Sequence, residues 1–143
     1  MKTICQQIED GELKYEDNIE SKREFASQMA RLTRVKEEHG HLVEGEIGTL
    51  QNDYFKDEHF EKFTNLKELL EKGVKLSIKV RQNINMESAE ELLKATQDIA
   101  EIFFKTKGVT PVRVKSVYPT EREIITHKWS RFIKEDMNSL YQQ

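Results

Sequence analysis

The residues able to do chemistry in this 143-residue chain are few, and they are scattered. Cys5 is the only cysteine, and it lies in a polar stretch ill suited to a shielded nucleophile. The chain has no Gly-rich phosphate loop, no Gly-x-Ser-x-Gly elbow and no Cys/His spacing of a metal site. Carboxylates are abundant, but their spacing is that of solvated helix faces. The expectation is therefore a protein that is not an enzyme, with no catalytic constellation, no metal ligands and no cofactor.

The four histidines rank next. His39 and His41 flank Gly40 in an expected loop, and no compact set of further ligands stands near them. His127 falls opposite the apolar sector of its segment. His59 shares an apolar face with Phe63, Leu66 and Leu70 at i, i+4, i+7 and i+11. Its plain reading is a partly exposed first-turn histidine, which is favoured; its sharper reading is a pocket-lining residue, or a ligand in a haem or metal sensor. Arg81 depends on its segment. In Val74 to Ile84 the apolar residues Val74, Leu76, Ile78 and Val80 alternate with polar ones, the period of a half-buried strand. Wound as a helix, the same residues place Arg81 in the middle of an apolar face. An arginine there needs an anion, either an internal carboxylate or a ligand's. The stretch Lys105 to Lys115 holds four basic residues and no acid. It reads as a solvated loop, or as a surface for an acidic partner.

The elements that must position these residues are mainly helical. A polar arm is expected over 1–18 and a helical domain over 19–143. The first helix spans 19–38, with Phe25, Met29 and Leu32 on one face and Gly40 as its stop. A second runs from a cap at Asp57 to Lys72, ended by Gly73. Ser88 with Glu91 reads as a capping box that opens a helix to about Phe104. Its broad apolar face holds Leu92, Thr96, Ile99 and Phe103 and could be core or the wall of a ligand cavity. Residues 108–119 form a connection that could contain a short strand. Thr120 with Glu123 opens a last helix, with Ile125, Trp129, Phe132, Ile133 and Leu140 in one sector. The expected core is Phe25, Met29, Leu32, Phe63, Leu66, Leu70, Leu92, Ile99, Phe103, Trp129, Phe132 and Leu140.

Composition sets the bounds. The length suits one domain with a real core. Charged residues make up 34% of the chain and its net charge is -3, so no general attraction to nucleic acid or anionic membrane is expected. There is no apolar run of membrane-spanning length and no secretory core in Met1 to Asp10. With a lone cysteine, this points to the cytoplasm.

Gly73-Val74-Lys75-Leu76-Ser77-Ile78, followed by a helix opening at Ser88, resembles the haem-free globin-like sensor domains of sporulation regulators in Bacillus-type bacteria. The free-standing sporulation-inhibitor group carried on anthrax virulence plasmids is the nearest in length. The resemblance implies an all-α, globin-like single domain without haem, and helix over strand at Val74 to Ile84. It implies a fatty acid in an apolar tunnel, with a nearby chloride as an optional second ligand, and inhibition of sporulation by competition with a sensor histidine kinase for its signal. On that reading the ligand site is Arg81, His59, Phe63, Ile78, Leu92, Thr96, Ile99 and Phe103, with Arg81 taking the carboxylate. A homodimer is compatible with it. The alternative is a protein-interaction module, an anti-activator or plasmid accessory protein, with no small-molecule ligand.

Overall fold

A computed structural model describes residues 18–117 and 121–127. Its elements are α1 (Ile19–Thr49), a π-helical turn (Leu50–Tyr54), α2 (Asp57–Lys62), α3 (Leu66–Gln82), α4 (Met86–Thr106), β1 (Pro111–Lys115) and β2 (Glu123–His127). The fold is all-α in its main body, as expected, with one small two-stranded sheet appended. Among the described residues no helix is long and apolar enough to cross a membrane.

The helices begin where side chains can satisfy the free N–H groups of the first turn. Asn18 accepts from the Ser21 N–H at 2.8 Å and opens α1. Asn85 accepts from the Ser88 N–H at 2.7 Å and opens α4, so the cap lies three residues before the expected Ser88. α4 closes on Gly108, which adopts φ +71. There the Gly108 N–H donates to the Lys105 carbonyl at 3.1 Å and the Val109 N–H to the Phe104 carbonyl at 3.2 Å. This crossed pair closes the last turn, and a left-handed residue is what lets the chain make it.

Two expected helix stops are not stops. α1 runs through Gly40 to Thr49, and α3 runs through Gly73 to Gln82. Both glycines are buried for another reason, the close approach of a neighbouring helix. A Cβ on Gly40 would stand 2.3 Å from Arg81 Cγ, and one on Gly73 would stand 2.7 Å from Ile47 Cδ1. The chain breaks instead between α2 and α3, where the expected helix 57–72 divides at residues 63–65. The segment Val74 to Gln82 is helical, and Ile84 lies beyond the helix end and is exposed.

α3 takes the middle position, packed against α1 on one side and α4 on the other. Its residues Leu66 and Leu70 are fully buried, in a cluster with Ile47, Phe55, Ile99 and Ile102. A second cluster joins Leu76, Leu92 and Ala95. Of the expected core, Leu32, Leu66, Leu70, Leu92 and Ile99 are buried, while Phe25, Met29, Phe63 and Phe103 are half-buried. Trp129, Phe132, Ile133 and Leu140 lie outside the described residues.

After Gly108 the chain forms an antiparallel hairpin with Arg113 opposite Ile125. Residues 123–127 are therefore a strand and not the first turns of a last helix. Ile124, Thr126 and their neighbours hold the period of a ladder, which the capping-box pattern at Thr120 and Glu123 concealed. The hairpin is tied to α4: Gln97 Nε2 donates to the Glu123 carbonyl at 2.7 Å, Arg122 pairs with Glu90 at 2.6 Å and Arg113 with Glu101 at 2.5 Å.

Candidate functional site

Arg81 stands in the last turn of α3 with its side chain only 16% exposed. The helical geometry that makes it notable also supplies its anion. Its Nη1 donates to Glu44 Oε2 and to His41 Nδ1, each at 2.5 Å, and its Nε lies 4.0 Å from Glu37 Oε2. The carboxylate that a buried guanidinium needs is thus the chain's own, from α1. Lys36 completes the seam by donating to the Val80 and Arg81 carbonyls at the end of α3. Arg81 is a helix-to-helix tie, with Gly40 making room for its methylenes.

The other expected site residues divide between places. His59 and Phe63 lie near the start of α3, whereas Arg81 is about 22 Å further along that helix by rise alone. Ile78 is half-buried on α3, and Leu92 belongs to the second core cluster. Thr96, Ile99 and Phe103 do come together, on the α4 wall of a groove facing α1. The structure therefore assembles three of the expected lining residues and separates His59 from Arg81.

A second constellation was not singled out by sequence. The π-helical turn carries Tyr54 onto Phe103, with ring centroids 4.8 Å apart, and beside Phe55 at 5.2 Å. His59 stacks on Tyr54 at 5.9 Å and 12°. The Lys56 N–H donates to His59 Nδ1 at 3.0 Å, which leaves Nε2 of a neutral ring to carry the proton, 3.7 Å from Glu58. The Thr106 hydroxyl donates to the Phe103 carbonyl at 2.7 Å, so it is Tyr54 Oη that donates to Thr106 Oγ1, at 2.8 Å. Lys107 Nζ lies 5.1 Å from the Tyr54 ring centroid and 4.9 Å from that of Phe103. The result is a fixed aromatic corner with an exposed ammonium on it. The only sequence signal for it was the basic stretch that begins at Lys105. The rest of that stretch is largely neutralised. Lys115 pairs with Glu121 at 3.1 Å, and Arg113 has Asp98, Glu101 and Glu123 within 4 Å. The hydrogen bond to Glu101 holds the Arg113 guanidinium above its ordinary range.

No three His, Cys, Asp or Glu side chains among the described residues gather so as to hold an ion. His41 with Glu44 and His59 with Glu58 are pairs only. Cys5 is the one thiol of the chain and lies outside the described residues.

The described residues make a small helical scaffold with short turns and an aromatic corner, and no metal cluster gathers among them. The family model for nickel-containing superoxide dismutase matches residues 1–107. The chain belongs to that family. It is similar to "Superoxide dismutase [Ni]" of Streptomyces coelicolor, 30% identical over 79 residues, which is 55% of this chain and 60% of that protein. The protein of the same name from Streptomyces seoulensis is 30% identical over 77 residues, 54% of this chain and 59% of that protein. The chain thus aligns with less than two thirds of either relative. No solved structure matches.

The family overturns several expectations. A globin-like, fatty-acid-responsive inhibitor of sporulation is replaced by an enzyme family, and the expected absence of catalysis and cofactor by a family that implies nickel. The interaction-module alternative finds no support in those matches either. The physical reason for the misassignment is visible in α3. The Gly-Val-x-Leu stretch that carried the resemblance lies inside an unbroken helix and does not follow a helix end at Gly73. The nickel does not fit the described residues, since they contain no ligand set.

Proposed function

We propose that this chain acts as a nickel-dependent superoxide dismutase. One superoxide is oxidised to dioxygen and a second is reduced, taking up two protons, to hydrogen peroxide. The observation that carries this reading is the family match, which runs from residue 1 through the end of α4. Nickel, when bound, would supply a centre that accepts one electron and returns it. Because the described residues lack a ligand set, the reading assigns the metal to the matched residues 1–17. Cys5 is the sole thiol there, and a thiol that gives up its proton to a metal is the soft donor the chain has to offer. A lone thiol stays reduced in the cytoplasm, which is the compartment this reading favours.

The described helices then have a scaffold role. Asn18 fixes the start of α1 directly after the metal-bearing residues. Lys107 presents a positive charge on a rigid ring surface, suited to drawing in a small anion such as superoxide.

Pulse radiolysis of the 143-residue chain tests the reading. Nickel-loaded protein is expected to accelerate superoxide decay in proportion to protein concentration, above the rate with the same nickel free in solution. Cys5→Ser should lose that acceleration while its circular dichroism is unchanged. Decay no faster than the free-nickel control would overturn the reading.

A further inference from the structure

We infer that residues 128–143 of this same chain dock in the apolar groove between α1 and α4. α1 and α4 both pack on α3, and between them lies a groove of about 440 Å³. Leu42 and Val43 of α1 and Leu50 of the π-helical turn wall it on one side, Ala100 and Phe104 of α4 on the other, and Ile125 of β2 stands at its rim. Leu42 is 64% exposed, a large apolar side chain facing water at the lip. Such a surface is stabilised by a cover.

The occupant follows from where the chain goes. The family match stops at residue 107, and the chain continues to residue 143. The hairpin leads it back along α4, fixed by Gln97, Glu101 and Glu90. β2 ends at His127, whose ring lies 5.0 Å from Phe104, a groove residue. Trp129 is two residues further on, roughly 7 Å of extended chain at most. From there Trp129, Phe132 and Ile133 fall at i, i+3 and i+4, an apolar face at helical spacing that needs a partner. Two turns of such a face match the span from Leu42 of α1 to Leu50 of the π-helical turn, about 12 Å by helical rise. Charge agrees: Glu46 is the one ionised side chain of the lining, and Lys128, Arg131 and Lys134 are the cations of the segment. Tethering favours this occupant over a free partner, because the hairpin holds its concentration at the groove high.

Trp129 is the only tryptophan of the 143-residue chain, so intrinsic tryptophan emission of that chain reports this segment alone. The expected result is blue-shifted emission that does not change on dilution. In Ala100→Glu the emission should move to that of solvated indole and acrylamide quenching should rise several-fold, with helical circular dichroism kept. Leu42→Glu, at the exposed lip, gives the same readout where Ala100→Glu fails to fold. Solvent-like emission in the parent would overturn the inference. So would blue-shifted emission unmoved by either variant, which would place Trp129 elsewhere. Loss of the blue shift on dilution would also overturn it, because a second copy would then be the occupant.

Discussion

At the scale of single residues, Gly40 and Arg81 form the tightest joint between α1 and α3. Arg81 reaches Glu44 across the place where a Gly40 side chain would be, and a Cβ there would meet Arg81 Cγ and Cδ at 2.3 and 2.7 Å. Alanine favours a helix interior over glycine by about 1 kcal/mol. Forcing a methyl into an occupied space costs about 1–3 kcal/mol. Gly40→Ala is therefore expected to lower stability, read as a lower urea midpoint. In an Arg81→Ala background the obstruction is gone, and the same change should raise stability by up to about 1 kcal/mol. A Gly40→Ala single variant more stable than the parent would show that Arg81 does not fill that space. The sequence made Arg81 legible as a cation in need of an anion. It did not reveal which anion, because Glu44 lies 37 residues away and on another helix.

At the scale of elements, the misread boundaries share one cause. Glycine ends a helix when it takes a left-handed conformation, and it lies within one when a neighbour must come close. Gly108 does the first, Gly40 and Gly73 the second, and the three look alike in sequence. The alternation at Val74 to Val80 misleads in the same way, since Leu76 and Ser77 are buried as neighbours on a helix. The helical stripes that did hold, at Leu66 with Leu70 and at Leu92 with Ile99, are those whose face meets another helix directly. Native-state hydrogen exchange separates the readings at Gly73: its amide should be protected like the middle of α3, and exchange at the rate of a frayed end would contradict a continuous helix. Asn85→Ala removes the cap of α4 and should cost about 1 kcal/mol in thermal or urea unfolding. Ile99→Ala empties the place where α3 and α4 pack under Gly73 and should cost about 2–5 kcal/mol. Equal stability in that variant would remove Ile99 from the core.

For the whole molecule, the all-α body was legible because charge and apolar residues recur at helical period along most of the chain. The proposed activity was not legible. A metal site announces itself by clustered ligands, and this chain shows one cysteine and dispersed histidines. The aromatic corner was hidden because Tyr54, His59, Phe103 and Lys107 approach one another only when the π-helical turn brings α1 back toward the end of α4. Charge at that corner has a kinetic consequence. Lys107→Glu should lower the rate constant for superoxide consumption roughly two- to tenfold at low ionic strength, with the difference shrinking as salt is added. A salt-independent deficit would mean that Lys107 acts through packing on Tyr54 and Phe103 instead.

The proposed function puts nickel on residues 1–17, where Cys5 is the one thiol. Equilibrium dialysis of the 143-residue chain against nickel, followed by metal analysis, decides whether it is there. One nickel per chain retained by the parent and lost in Cys5→Ser is the predicted result. A parent that retains no nickel, or retention unchanged in Cys5→Ser, would contradict it.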